Sequence, residues 1–192
     1  MPYEPKNYDR LLGTTGFSDQ LLKNHFTLYQ GYVANVNKLS DALNLLTKDG
    51  KSSAPEYAEM KRRFGWEFDG MRLHELYFEN MVKDGSLPGS KSELYLKIEK
   101  DFGSFEAWEK DFRATGAMRG IGWAMLYFDE EADRLFNVWI NEHDTGHFAG
   151  CKPVLVMDVF EHAFVLDYGT KRADYIEAFM KAIDWEVVEK RV

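Results

Sequence analysis

Apolar side chains recur every three or four residues over two long stretches near the start of the chain. In the first, Leu22, His25, Tyr29, Tyr32, Val36, Leu39, Leu43 and Leu46 fall on one helical face. Ser18 and Asp19 offer a capping hydroxyl and a carboxylate at its start, while Asp49-Gly50 and Ser52-Ser53 break it. In the second, Pro55 suits a first turn, and Phe64, Phe68, Met71, His74, Phe78 and Met81 repeat the spacing. Two amphipathic helices joined by a short polar loop predict an antiparallel hairpin. Residues 1–17, punctuated by Pro2, Pro5 and Gly13, predict an extended arm ahead of it.

The period changes after the polar stretch Lys83–Ser90, which reads as a linker. Ser92–Lys100 and Ser104–Met118 keep helical spacing. Gly122–Phe128 and Leu135–Ile140 read as a strand hairpin around the charged stretch Asp129–Arg134. Pro153–Met157 is a short apolar strand, and Ala173–Arg191 returns to helix through Tyr175, Phe179, Ile183 and Val187. The order predicts an α+β fold. A long N-terminal antiparallel helical hairpin (1–84, arm included) precedes a C-terminal domain (91–192). In that domain a small three-stranded antiparallel sheet is framed by helices.

Composition narrows the class. A chain of 192 residues hides roughly 70% of its unfolded surface and folds without staples. With 45% hydrophobic and 29% charged residues, disorder is excluded. The apolar runs are far too short to span a membrane, and the first residues carry no basic segment leading into an apolar one, so no secretory signal is expected. The single Cys151 excludes an internal disulfide framework and fits a reducing cytoplasm. A net charge of −8 argues against a nucleic-acid partner. Of the five histidines, two carry the argument further.

His25 and His74 sit inside the apolar stripes of the two predicted helices. A buried imidazole needs partners, because an unpaired polar group costs on the order of 1–3 kcal/mol. One such residue is usually a hydrogen-bonded structural histidine. Two on facing sides of a hairpin point instead to a shared partner, and a metal ion satisfies several imidazoles at once. Asp158 and His162, four apart directly after the strand Pro153–Met157, would aim the same way in a first helical turn. The plain alternative is a helix cap with a nearby surface histidine.

These residues bring a resemblance with them. His25 with Tyr32, His74, Gly120-Ile121-Gly122-Trp123, and Asp158-x-x-Glu161-His162-Ala163 followed by Tyr168 are similar to motifs of the iron/manganese superoxide dismutase family. So are Tyr32-Val33-x-Asn35-x-Asn37-Lys38-Leu39, Phe102-Gly103-Ser104-Phe105 and Lys171-Arg172-Ala173-Asp174-Tyr175, in the same order from about residue 17 onward. The resemblance implies that His25, His74, Asp158 and His162 hold one Fe or Mn ion per chain between the two domains, with a solvent molecule as fifth ligand. The implied reaction is disproportionation of superoxide by a +2/+3 cycle of that ion. Three imidazoles and one carboxylate tolerate both charges, where soft thiolates would suit other metals.

Further roles follow from the same resemblance. Tyr32 matches a gateway tyrosine. It lies seven positions after His25, about 20° away round an ideal helix, where the family usually has eight, which predicts a first helix without a bulge. Trp123 would wall the site. Gly70 stands where many iron members carry a glutamine, and His143, fifteen residues before Asp158, aligns with members that use histidine to bond the solvent. Arg172 matches an arginine near the substrate entrance, where positive potential guides an anion. Glu161 implies a bridge to His162 of a second copy, hence a homo-oligomer, dimer or tetramer. Phe160 replaces a usual tryptophan, Phe164 and Val165 a tyrosine pair, and Tyr29 and Gln30 a common histidine pair. His147 and Cys151 receive no role. Three other readings remain at this stage: a two-histidine-one-carboxylate iron oxygenase, a zinc site without redox chemistry, and a metal-free relative acting as a binding or structural module.

Overall fold

The computed structural model describes residues 1–192. The first stripe forms one uninterrupted helix, α1 (Asp19–Lys48), and the second forms α2 (Pro55–Glu79). Ser18 accepts a hydrogen bond from Leu21 N at the start of α1, and Pro55 occupies the first turn of α2. No bulge interrupts α1, as the seven-residue spacing predicts. Helix α1 buries Leu21, Leu22, His25, Phe26, Tyr29, Tyr32, Val33 and Val36 on one side, while α2 buries Met71, His74, Tyr77 and Phe78.

Two short helices follow, α3 (Glu93–Phe102) and α4 (Phe105–Gly116), each capped by a serine, Ser92 and Ser104. Strands β1 (Trp123–Asp129), β2 (Arg134–Ile140) and β3 (Lys152–Asp158) form an antiparallel sheet in the order β2-β1-β3. A 3-10 turn (Glu161–Ala163), then α5 (Val165–Tyr168), α6 (Arg172–Lys181) and α7 (Trp185–Glu189), complete the chain. The α+β order and the three-stranded sheet are as the sequence predicts. No helix is long and apolar enough to cross a membrane.

Register positions the site. Trp123, on the central strand, pairs with Ile140 on one side and Asp158 on the other. One end of the sheet therefore carries Trp123, Asp158 and the loop that follows β2. Gly122, just before Trp123, has φ +129°, and a Cβ there would sit 2.0 Å from the carbonyl oxygen of Ile140, so only glycine fits. Asn80, at the end of α2, fixes the hairpin to β3. Its side chain donates to Val156 O at 2.7 Å and accepts from Val156 N at 3.3 Å.

Two expectations need correction. The arm is not simply extended: Asp9–Leu11 forms a 3-10 turn, and Tyr8, Leu11 and Phe17 are buried in a core continuous from the hairpin to the sheet. The C-terminal segment is two helices, broken between Ala182 and Asp184. There Asp184 N bonds Asn80 O at 2.8 Å and the Asp184 side chain caps the next helix through Val187 N.

Candidate metal centre

His25 and His74 face each other across the hairpin, with ring centroids 5.0 Å apart at right angles. Each is almost wholly buried, at 2% and 0% exposure. Asp158 is the last residue of β3, and His162 lies in the 3-10 turn that follows, so the pair does not share a helical turn as their spacing predicts. The turn nevertheless brings them together. Three imidazole nitrogens converge on one oxygen, Asp158 Oδ2: His162 Nε2 at 3.1 Å, His25 Nε2 at 3.2 Å and His74 Nε2 at 3.6 Å. One ligand atom from each of the four side chains lies within 4.8 Å of every other.

The surroundings orient each group. Asp158 Oδ1 accepts from Phe160 N at 2.8 Å, and the main-chain oxygen of Asp158 accepts from the Tyr175 hydroxyl at 2.5 Å. The second oxygen of the carboxylate is thereby left toward the rings. His74 Nδ1 lies 2.6 Å from Gly70 O. A carbonyl only accepts, so Nδ1 carries the proton and Nε2 presents a lone pair. That Nε2 is buried and has no hydrogen-bond partner.

Electrostatics agree. Burial, opposed by the bond to Asp158, pushes the pKa of His25 down, and burial with the neighbouring His25 lowers that of His74 further. Both rings are neutral, the form that ligates metal. Burial pushes the Asp158 carboxyl up, but His162 and His25 outweigh it and hold the group well below the usual carboxylate range. An orphaned, buried imidazole lone pair aimed at a carboxylate and two further imidazoles is a donor set that fits Fe, Mn or Zn.

Aromatic side chains seal the cluster. Trp123 meets the His74 ring edge-on at 5.1 Å, Tyr32 lies 5.0 Å from it, and Phe160 stacks on His162 at 5.3 Å. His143, fully buried, touches the same group: its Nε2 is 2.8 Å from Tyr32 Oη, and its Nδ1 accepts from Trp123 Nε1 at 3.2 Å. Burial lowers its pKa to about 4, so the ring is neutral. Gly70 leaves the space that Tyr32 and His143 fill, since a Cβ there would lie 2.6 Å from Tyr32 Cδ1 and 3.2 Å from His143 Cδ2.

Two predicted residues lie outside the cluster. Glu161 is exposed on the outer side of the turn. Arg172 donates to Met118 O at 2.6 Å and Gly120 O at 2.7 Å, clamping the loop that leads into Trp123. Both line one surface depression, with Arg119, Met118, Phe164 and Val165. Tyr29, at the altered position on α1, is bonded within the chain: its hydroxyl donates to Glu75 at 2.9 Å and accepts from Lys6 N at 3.0 Å. Sequence reasoning gave no role to His147, whose contacts join a loop to a strand where no periodicity betrays them, and it saw Tyr175 in a helical stripe and a motif but not as the donor to Asp158 O.

Comparisons with known proteins agree with this geometry. The family model described as iron/manganese superoxide dismutases, C-terminal domain, matches residues 90–191. The chain is 37% identical to a manganese superoxide dismutase of Haloarcula marismortui over 97% of this chain and 89% of that protein. It is 36% identical to an iron superoxide dismutase of Aquifex pyrophilus over 98% and 90%. Against an iron superoxide dismutase of Cupriavidus metallidurans it is 37% identical over 90% and 86%.

Proposed function

The chain belongs to the iron/manganese superoxide dismutase family, and from that membership we propose that it disproportionates superoxide using one Fe or Mn ion held by His25, His74, Asp158 and His162. The observation that carries this reading is the convergence of three imidazole Nε2 atoms on one carboxylate oxygen, with His74 Nε2 buried and unpartnered. A metal-free structural module would leave that atom uncompensated, which disfavours the non-enzymatic alternative. When bound, an Fe or Mn ion would supply one-electron chemistry between its +2 and +3 states, by which one superoxide is oxidised to dioxygen and a second, with two protons, is reduced to hydrogen peroxide.

The chain's own residues do the rest. Three imidazole rings and one carboxylate form a ligand set compatible with both states of the ion. Trp123 and Tyr32 against His74, with Phe160 against Trp123, crowd the inner side of the cluster, which disfavours an organic-substrate oxygenase. Peroxide takes up two protons, and Tyr32 and His143 are placed to handle them. The Trp123 indole only donates, so His143 Nδ1 accepts and His143 Nε2–H donates to Tyr32 Oη. The Tyr32 hydroxyl hydrogen is then free to point into the site. Burial, with the Asp158 charge adding to it, raises the Tyr32 pKa and keeps that hydrogen in place. Arg172 and Arg119, beside Glu161, supply positive charge to guide an anion toward a protein of net charge −8.

The ion sits between an N-terminal domain (1–84) and a C-terminal domain (91–192), and the enzyme is a cytoplasmic homo-oligomer. What supports a second copy is the depression lined by Glu161, Met118 and Val165, next to His162, whose side chain is 29% exposed. Glu161 of each copy reaches His162 of the other across a two-fold axis.

Stripping the metal and reconstituting with Fe(II) or Mn(II) separately tests the proposal. One ion per chain with return of superoxide removal is the expected result, and the ion that restores it identifies the working metal. Undiminished activity in the stripped chain contradicts the assignment.

A further inference from the structure

The loop after β2 carries His143 in a tight turn closed at its base by a single antiparallel bridge between Asn141 and Thr145. Glu142, immediately before His143, has φ +64°, a left-handed conformation that non-glycine residues adopt only when their surroundings enforce it. The bridge holds the ends of the turn and Trp66 Nε1 donates to Glu142 Oε2 at 3.2 Å, but the carbonyl of His143 itself is held by His147. Its Nε2 lies 2.6 Å from the carbonyl oxygen of His143, and its Nδ1 lies 2.6 Å from the Tyr127 hydroxyl.

The protons on this link are fixed by chemistry. A carbonyl only accepts, so His147 Nε2 carries the hydrogen and His147 Nδ1 accepts from Tyr127 Oη–H. Burial raises the Tyr127 pKa, which keeps its donor proton in place. Asp69 on α2 lies 4.0 Å from the same Nε2, so the His147 ring sits where β1, the loop and α2 meet. Strand β1 thus holds His143 twice. Trp123 bonds its side chain directly, and Tyr127 holds its main chain through His147.

We propose that His147 is a positioning residue for His143, fixing the main chain from which His143 Nε2 reaches Tyr32 Oη. The inference rests on the reading of His143 as the proton partner of Tyr32. It assigns work to a residue to which neither the sequence motifs nor the family resemblance give any.

The test compares His147→Phe, His147→Gln, Tyr127→Phe and His143→Ala in the metal-loaded enzyme, with metal content and melting temperature as controls for folding. His147→Phe keeps a ring but makes no hydrogen bond, and should lower kcat about tenfold with metal content unchanged. His147→Gln, whose amide offers an N–H at similar reach, should regain most of that loss, and Tyr127→Phe should fall between. In a His143→Ala background, His147→Phe should change kcat by less than about twofold, because the two act through one group. A readout apart from activity is the 15N NMR spectrum of the zinc-loaded chain labelled at histidine. In it the His143 ring resonances should move in His147→Phe and return in His147→Gln. Wild-type kcat together with unmoved His143 resonances in His147→Phe overturns the proposal. If instead His143→Ala itself leaves kcat unchanged, it is the reading of His143 that fails, while shifted His143 resonances in His147→Phe would still report the physical link.

Discussion

The two halves of the metal centre are built differently. The hairpin contributes His25 from near the start of a helix 30 residues long and His74 from the second half of one 25 residues long, each more than a turn from the helix end. Their rings are packed among Tyr77, Phe78 and Tyr32. The sheet side contributes Asp158 from a strand end and His162 from a three-residue 3-10 turn, the latter half-open to solvent. In the helical half, every ring has neighbours one turn away on the same face, so packing determines its position several times over. In the other half, position depends on a strand terminus, one bond from Phe160 N to the Asp158 carboxylate and one from the Tyr175 hydroxyl to the Asp158 carbonyl. Long periodic elements supply a rigid wall, and a short turn supplies the groups that close it.

The largest effect should come from the residue both halves share. Asp158→Ala removes the oxygen on which all three rings converge, and metal analysis should find the purified chain essentially empty and inactive. Retention of near-stoichiometric metal would mean that the rings suffice without it, and the comparison would lose its centre.

Histidine variants separate the halves. His25→Ala, His74→Ala and His162→Ala should all lose metal. The metal-free chains, compared by urea unfolding, should nevertheless differ. Removing a buried helical ring opens a cavity and costs about 2–4 kcal/mol. Removing the half-exposed His162 costs about 1 kcal/mol or less. Equal costs would break the distinction.

Acid should act on the group that spans the seam. His143 has a folded pKa of about 4 against 6.5 for the ordinary imidazole. Between those values the unfolded chain binds the extra proton, so stability rises with pH there. It is fully present above about 6.5 and is lost as pH falls toward 4, a contribution on the order of 3 kcal/mol. His143→Gln should flatten that part of the stability profile of the metal-free chain; an unchanged profile would mean that the ring titrates normally.

The smallest effect belongs to the outer face. Glu161→Ala should weaken self-association roughly tenfold in sedimentation equilibrium while leaving metal content intact. If association is unaffected, the open side of His162 is covered by something other than Glu161 of a second copy.

The same contrast explains what the sequence disclosed. His25 and His74 stood out because a polar ring in an apolar stripe violates the period around it, and Ser18, Pro55, Ser92 and Ser104 marked helix starts by local chemistry. Asp158 and His162 were visible as a pair, but the geometry joining them was not, because a 3-10 turn after a strand has no period to read. The break at Ala182–Asp184 was hidden for a related reason. Phe179, Ile183 and Val187 keep helical spacing across it, and the helix is interrupted by long-range pairing with the end of the hairpin, Asp184 N to Asn80 O and Val82 N to Ala182 O. His147 left no trace in the pattern, since its partners, Tyr127 and the His143 carbonyl, meet it only in the folded chain.

The central claim is that the hairpin and the sheet-side turn grip one redox ion through three imidazoles and one carboxylate. X-ray absorption at the metal edge of the reconstituted chain tests it most directly. The account predicts a nearest shell of nitrogen and oxygen only, with outer-shell scattering of three imidazole rings that drops to two in His162→Ala chains still loaded under excess metal. Scattering from fewer than three rings in the unaltered chain, or a sulfur neighbour from Cys151, would contradict it.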